Sequence, residues 1–322
     1  MIRGLVIGKF LPIHNGHVAL IRFAEKQCDE LIVSMSHSDS DPIDPTLRFQ
    51  WIKEIFEDTP SIKPALIKDD FDDESLGWSE RTKIWADVIQ QHYPPIDILF
   101  SSERYGGPFA QNLNARHVSF DLERKQFPVS GALVRQHPFR YWNFIPDVVR
   151  PCFVKKICFY GPESTGKSVL AEKMARHYQT EFVPEVAREL ITSNDFTAED
   201  IVRIGHAHYD RIQQKLKSAN KILFCDTDAI TTQIYSHKYL GVVPPVLFEL
   251  EQKVHYDLYF LFDIDVPWVA DGLRDLGDQR QEMFELFKDA LRRRGIFFYH
   301  LTGDFTSRER FIIEKIDAIL TL

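Results

Sequence analysis

Short apolar runs alternate with longer stretches in which apolar residues recur every three or four positions, and the chain goes through this alternation twice. In the first half, residues 2–7 (IRGLVI) form an apolar run ending at Gly8. LIVSM at 31–35, IDILFSS at 96–102 and HVSFD at 117–121 are further runs of strand type. Between them, residues 15–28 carry Val18, Leu20, Ile21 and Phe23 at helical spacing, and residues 46–57 carry Leu47, Trp51, Ile52, Ile55 and Phe56; a third helical stretch covers 79–91. A second set begins at KKICFYG (155–161), runs into a helix over 167–178, and has strands at TEFV (180–183), KILFCD (221–226) and DLYFLFD (257–263), with helices near 198–218, 279–293 and 306–320. Strands that alternate with helices build parallel sheets covered on both faces. The pattern predicts an α/β protein of two three-layer parallel-sheet domains, residues 1–150 and 151–322. They divide near Phe144–Val154, where Pro146 and Pro151 interrupt both patterns.

A length of 322 residues suits two domains at roughly 150 residues each. The formal net charge of −8 argues against nonspecific DNA binding, whose affinity comes from basic side chains displacing phosphate counterions. Cys28, Cys152, Cys158 and Cys225 form no CxxC pair, and Cys158 and Cys225 lie in apolar runs as core residues. No segment approaches the ~20 apolar residues that span a bilayer, and MIRGLVIGKF is too quickly broken for a signal peptide. A reducing, cytoplasmic setting is expected.

Residues 161–168, GPESTGKS, fit G-x-x-x-x-G-K-[ST] between a predicted strand and a predicted helix. Gly161 and Gly166 let the backbone curl so that the N–H groups of Glu163, Ser164, Thr165 and their neighbours point at phosphate oxygens. In this pattern Lys167 reaches the β- and γ-phosphates and Ser168 offers a hydroxyl to magnesium. Asp226 ends the run KILFC, where a magnesium-holding aspartate belongs, and Asp228 follows two residues on; a strand-ending turn or helix cap is the alternative for either. Glu185 follows FVP at a carboxyl end of the sheet, placed to take a proton from a substrate hydroxyl, to bind substrate, or simply to cap. Arg274 and Arg280, in DGLRDLGDQR (271–280), suit a mobile lid that brings cations to a migrating phosphoryl group; a solvated charged loop is the other reading.

The first half carries a different string, GKFLPIHNGH at 8–17. Gly8 ends the strand, Phe10 and Pro12 shape the loop, and His14 and His17 open a helix with Gly16 leaving room for phosphate. Each histidine can donate a hydrogen bond to an ATP phosphate, helped by the helix N-terminus. A zinc pair would need cysteine or carboxylate partners that this stretch lacks. In SGALVR at 130–135, Ser130 reads as a helix N-cap whose neighbouring N–H groups hold phosphate, with Arg135 further along the same helix.

GKFLP and HNGH together with PVSGALVR resemble the nucleotidyltransferase superfamily that includes nicotinamide-mononucleotide adenylyltransferases, a Rossmann-like fold. SSERYG (101–106) and Asp121 with Arg124 look like its substrate-side segments, and Ala132 stands where the family usually has Ser or Thr. GPESTGKS, DTDAITTQ and PWVADGLR look like the P-loop ribosylnicotinamide kinase domain of NadR-type bifunctional proteins. The resemblance implies two ATP- and Mg2+-dependent reactions. Ribosylnicotinamide is phosphorylated to nicotinamide mononucleotide with Lys167 and the lid arginines stabilising charge and Glu185, Asp226 or Asp228 taking the proton. The mononucleotide then receives an adenylyl group to give NAD and pyrophosphate, with Lys9, His14, His17 and Arg135 on the ATP side. Trp78, Trp85 or Tyr105 could stack on nicotinamide, core packing being the alternative. Many members begin with a helix-turn-helix; with the first strand at residue 2, none is expected here, nor a repressor role. Three other readings stand beside this one: a related transferase for pantetheine phosphate or a cytidylyl acceptor, an enzyme with one degenerate domain, and a nucleotide-sensing regulator or adaptor. A homo-oligomer is left open.

Overall fold

The computed structural model describes residues 1–73, 75–269 and 274–321. The chain forms two compact units, Met1–Arg150 and Pro151–Leu322. Among the described residues, no helix is long and apolar enough to cross a membrane.

The first unit contains strands β1 (Arg3–Gly8), β2 (Glu30–His37), β3 (Ile62–Lys68), β4 (Ile98–Ser101) and β5 (Arg116–Ser119), with helices α1 (Asn15–Glu25), α2 (Pro45–Ile55), α3 (Trp78–His92), α4 (Gly106–Leu113) and α5 (Gly131–Gln136). All pairings are parallel in the order β3-β2-β1-β4-β5. Leu5, Ile32, Leu99 and Phe109 are core residues of one face. Asp44 caps α2 by accepting from the N–H groups of Thr46 and Leu47, with Pro45 as first helical residue. The strand order reverses at β1, so the crevice at the carboxyl ends of β1 and β4 is where an open sheet of this kind takes its ligand.

The second unit contains β6 (Lys155–Tyr160), β7 (Phe182–Val183), β8 (Ile222–Asp226), β9 (Leu258–Phe262) and β10 (Tyr299–Leu301), parallel in the order β10-β9-β6-β8-β7. Its helices are α6 (Lys167–His177), α7 (Ala187–Leu190), α8 (Ala198–Leu216), α9 (Ala229–Leu240), α10 (Val246–Lys253), α11 (Arg280–Arg293) and α12 (Phe305–Leu320). A core of Ile157, Phe159, Leu170, Phe224, Phe260 and Ile312 packs α6 and α12 onto one sheet face. On the far side, Phe196, Ile201, Ile204, Leu247 and Leu250 form a smaller cluster that joins α8 to α10. Cys158 and Cys225 are buried between these layers.

The periodicity located most elements and missed several. TEFV shrinks to the two-residue β7. The strand β3 went unread because Pro64 sits inside IKPALIK, although it lies on an edge where a missing N–H is tolerated. The eight-residue α4 and α10 and the three-residue β10 are too brief for a period to register, and α9, though 12 residues long, is too evenly mixed.

Candidate active sites

In the first unit, β1 delivers Gly8 into a loop that turns at Phe10, whose φ is 43°, and passes through a cis Leu11–Pro12 bond into α1. His14 is the N-cap of α1, and its backbone N–H donates to Nδ1 of His17 at 3.3 Å. The two imidazoles stack with ring centroids 3.7 Å apart, and Phe10 meets His17 edge-on. A Cβ on Gly16 would come within 3.1 Å of the His14 ring and 3.3 Å of Phe127 Cβ, so this residue must be small for the pair to close. Burial, then Arg124, pushes His14 down to about 4. Burial, then the His14 and Arg124 charges, drives His17 well below its ordinary value. Both rings are therefore neutral near pH 7, and with Nδ1 of His17 accepting, its proton sits on Nε2. The His14 side chain faces the His17 backbone N–H in a capping box, although among the described residues its Nδ1 meets no partner at full hydrogen-bond geometry.

These histidines line a cleft of about 1670 Å³ together with Gly8, Lys9, Phe10, Gly16, Ser130 and Arg135. Ser130 caps α5 by accepting from the Leu133 N–H at 3.2 Å. Arg135 donates to the Leu11 carbonyl and thereby ties α5 to the histidine loop. Asp121 accepts from the N–H groups of Lys125, Gln126 and Phe127, so its carboxylate is committed to its own turn. Arg124 donates to the Val129 carbonyl and to Glu103. A second cavity of about 770 Å³ shares Lys9 and Tyr105 with this cleft and adds Asp69, Asp72, Arg81 and Trp85. Trp85 meets Tyr105 edge-on at 5.3 Å and donates from Nε1 to Asp72 at 2.9 Å. Trp78, 47% exposed, leans over Tyr105 at 5.7 Å, with the Arg81 guanidinium 4.7 Å from its ring.

Sequence reasoning missed Arg48. It is fully buried and donates to the carbonyls of Lys9 and Ile43 and to Asp41, which fixes the backbone beneath the cleft. An arginine within an amphipathic helix gives no signal that it points inward.

In the second unit, β6 runs out just before Gly161, whose φ is 137° and where a Cβ would lie 2.9 Å from the Phe262 carbonyl oxygen. Gly166 takes φ 87° to turn the loop into α6. Lys167 folds back over this loop and donates to the Pro162 carbonyl at 2.7 Å, as does the Thr165 hydroxyl at 2.9 Å. Burial lowers the Lys167 pKa, and Asp226, Glu185 and Glu163 oppose that. Asp226 at the end of β8 is fully buried. Neither oxygen meets hydrogen-bond geometry with a protein donor, although the Ser168 hydroxyl is near enough to help hold its pKa down. Burial raises it to about 6 against the pull of Lys167.

For Asp228 the sequence leaves a catalytic carboxylate or a helix N-cap open. It caps α9, with Oδ1 accepting from the N–H and hydroxyl of Thr231 and Oδ2 from the Tyr259 hydroxyl. Both oxygens are thus engaged. The capping alternative describes it, since DTDAITT places a threonine three residues beyond an aspartate.

A cavity of about 730 Å³ adjoins the phosphate loop, lined by Glu163, Glu185, Arg188, Thr227, Tyr235 and, across its apolar floor, Phe196. Glu185 lies at its rim and accepts from Arg188 Nε at 2.8 Å. Burial raises the Glu163 pKa, and its Oε1 accepts from the Leu276 N–H. Of the expected lid, residues 271–273 lie outside the described residues. Arg274 donates to the Val269 carbonyl at 2.9 Å; Arg280 donates to the carbonyls of Val266 and Ser164 and lies over the Trp268 ring. The Ser164 hydroxyl accepts from the Val269 N–H at 2.8 Å, which joins the same segment to the phosphate loop. Arg308, also missed, is fully buried and donates to the Thr165 and Asp263 carbonyls and to Asp265, bracing the loop from α12.

Among the described residues, no group of three or more His, Cys, Asp or Glu could hold a metal ion alone. The unpartnered Asp226 carboxylate beside Ser168 does suit magnesium, which usually takes one or two protein oxygens and fills its shell with water and substrate phosphate.

Two family models match: a cytidylyltransferase-like domain over residues 5–65 and an AAA domain over residues 156–308. The chain is 32% identical to the trifunctional NAD biosynthesis/regulator protein NadR of Salmonella typhimurium, over 98% of this chain and 83% of that protein. It is also 32% identical to the protein of the same name from Escherichia coli, over 95% and 80%. The nicotinamide-nucleotide adenylyltransferase of Methanolobus tindarius is 28% identical over 43% of this chain and 68% of that one. In fold, a NadR protein crystallised with NAD and AMP-PNP superposes with a TM-score of 0.82 at 23% identity, covering 100% of this chain and 96% of that one. Identity at this level across nearly the whole chain and four-fifths of the relatives shows that the protein belongs to the NadR family.

Proposed function

We propose that the chain makes NAD in two ATP-dependent steps, one in each unit. In the second unit the 5′-hydroxyl of ribosylnicotinamide, held in the 730 Å³ cavity, attacks the γ-phosphate of ATP. The loop N–H groups and Lys167 hold the phosphates, Arg274 and Arg280 lie on the segment joined to that loop, and Glu185 at the cavity rim takes the proton. Ser168 and Asp226 would hold magnesium, which supplies charge neutralisation on the β- and γ-phosphates when bound.

In the first unit the phosphate of nicotinamide mononucleotide attacks the α-phosphate of a second ATP and pyrophosphate leaves. The nucleophile is already an anion, so no strong base is required. Catalysis consists of positioning and charge stabilisation. His14 and His17 are neutral N–H donors held in fixed orientation, and Lys9 and Arg135 bring positive charge to the same cleft. The aromatic cavity of Trp85 and Tyr105 is the place for the nicotinamide ring.

One observation carries this reading: a single chain pairs a stacked HxGH cleft with a phosphate loop that adjoins a cavity, within a sequence 32% identical to NadR over 98% of its length. Incubation with ATP, magnesium and ribosylnicotinamide should yield first nicotinamide mononucleotide and then NAD by mass. Conversion of pantetheine phosphate or a cytidylyl acceptor instead would refute the substrate assignment.

A further inference from the structure

Helix α8 buries Ile201, Ile204, Gly205, His208 and Ile212. Their spacing is that of an apolar stripe, and His208 is the polar member. Its side chain is 7% exposed, and among the described residues its Nε2 has no hydrogen-bond partner. A buried nitrogen left unpaired destabilises a fold, so an apolar residue here would make the better core. The ring does not end in solid packing, however. It borders the 730 Å³ cavity beside Thr232 and Tyr235, and also a smaller cavity of about 370 Å³ under Asp228. Burial, then Arg211, pushes His208 down to about 4, so it is a neutral imidazole near pH 7.

We infer that His208 is a specificity-determining residue of the kinase site, where its Nε2 hydrogen-bonds a neutral polar group, a hydroxyl or a carboxamide, of the nucleoside acceptor. The inference rests on the proposal that the second unit phosphorylates a nucleoside. A neutral ring suits an acceptor whose pyridinium is already cationic, since a protonated histidine would repel it. It also accounts for an orphan nitrogen in an otherwise apolar stripe: the partner arrives with the substrate. A site built around such a bond discriminates against analogues that lack the group.

The test compares the full-length wild type, H208L and H208N with ATP, magnesium and ribosylnicotinamide. For H208L the KM for ribosylnicotinamide should rise about tenfold to a hundredfold, with the KM for ATP unchanged. Its thermal midpoint should be equal or higher because the orphan nitrogen is gone. H208N, which keeps a hydrogen-bonding group on a shorter side chain, should recover part of the affinity. An unchanged nucleoside KM in H208L would overturn the inference. So would a lower midpoint with both KM values rising together, which would assign His208 to packing. If the wild type itself did not phosphorylate the nucleoside, the kinase proposal would fall first and this inference with it.

Discussion

His14 and His17 lie face to face at 3.7 Å, joined by a hydrogen bond from the backbone of the first to Nδ1 of the second. Two cationic imidazoles could not stack in this way at such burial, so the arrangement selects neutral rings that do not titrate near pH 7. The linkage has a definite sign. The folded pKa of His14, about 4, lies below its ordinary value of 6.5, so the unfolded chain binds the proton more readily. The stability from this group is complete above pH 6.5 and is lost as pH falls toward 4. About 2 kcal/mol should be gone by pH 5. Denaturant titrations of the wild type and His14→Asn at pH 7 and pH 5 would measure it; the same pH dependence in both would show that His14 is not the cause.

Gly16→Ala should separate geometry from stability. Alanine raises helix propensity by about 1 kcal/mol, yet its Cβ would press on the His14 ring at 3.1 Å. Adenylyl transfer should drop by roughly tenfold or more while phosphorylation of ribosylnicotinamide is unchanged. Rates of both reactions on one preparation, with a melting curve, would settle the point.

Asp226→Asn should trade activity for stability. The carboxylate is fully buried and, among the described residues, only the Ser168 hydroxyl comes near it as a donor, so neutralising it removes an unfavourable charge. The thermal midpoint of the second unit should hold or rise, while kcat for phosphorylation falls roughly a hundredfold and the magnesium concentration for half-maximal rate increases. A wild-type magnesium dependence in the variant would remove Asp226 from the metal site.

Arg308→Met should do the opposite. Its guanidinium holds the Thr165 and Asp263 carbonyls from a fully buried position. Removing it should cost about 3 kcal/mol and slacken the phosphate loop, seen as a lower midpoint together with a higher KM for ATP.

The histidine loop and the glycine-rich loop were readable because each is a contiguous string whose spacing is dictated by backbone geometry: GKFLPIHNGH needs a strand end and a helix start, and so does GPESTGKS. Both sheets were readable from their central, doubly buried strands. The cavity beside the phosphate loop was not, because Glu163, Phe196 with His208, and Tyr235 come from three separate segments that only the fold assembles. Buried arginines hid for a related reason: Arg48 and Arg308 occupy helix positions that look like solvated faces until their carbonyl partners are known. For Asp228 the sequence left a catalytic carboxylate and a helix cap open, and the fold shows the cap of α9. His208 did leave a trace, a polar residue where the α8 period calls for an apolar one.

The separation of the two chemistries is tested most directly by assaying His17→Ala and Lys167→Ala side by side, each for phosphorylation of ribosylnicotinamide and for NAD formation from supplied mononucleotide. The account predicts reciprocal losses: H17A keeps the first rate and loses the second, and K167A loses the first and keeps the second. Equal loss of both rates in either variant, in protein that remains folded, would contradict it.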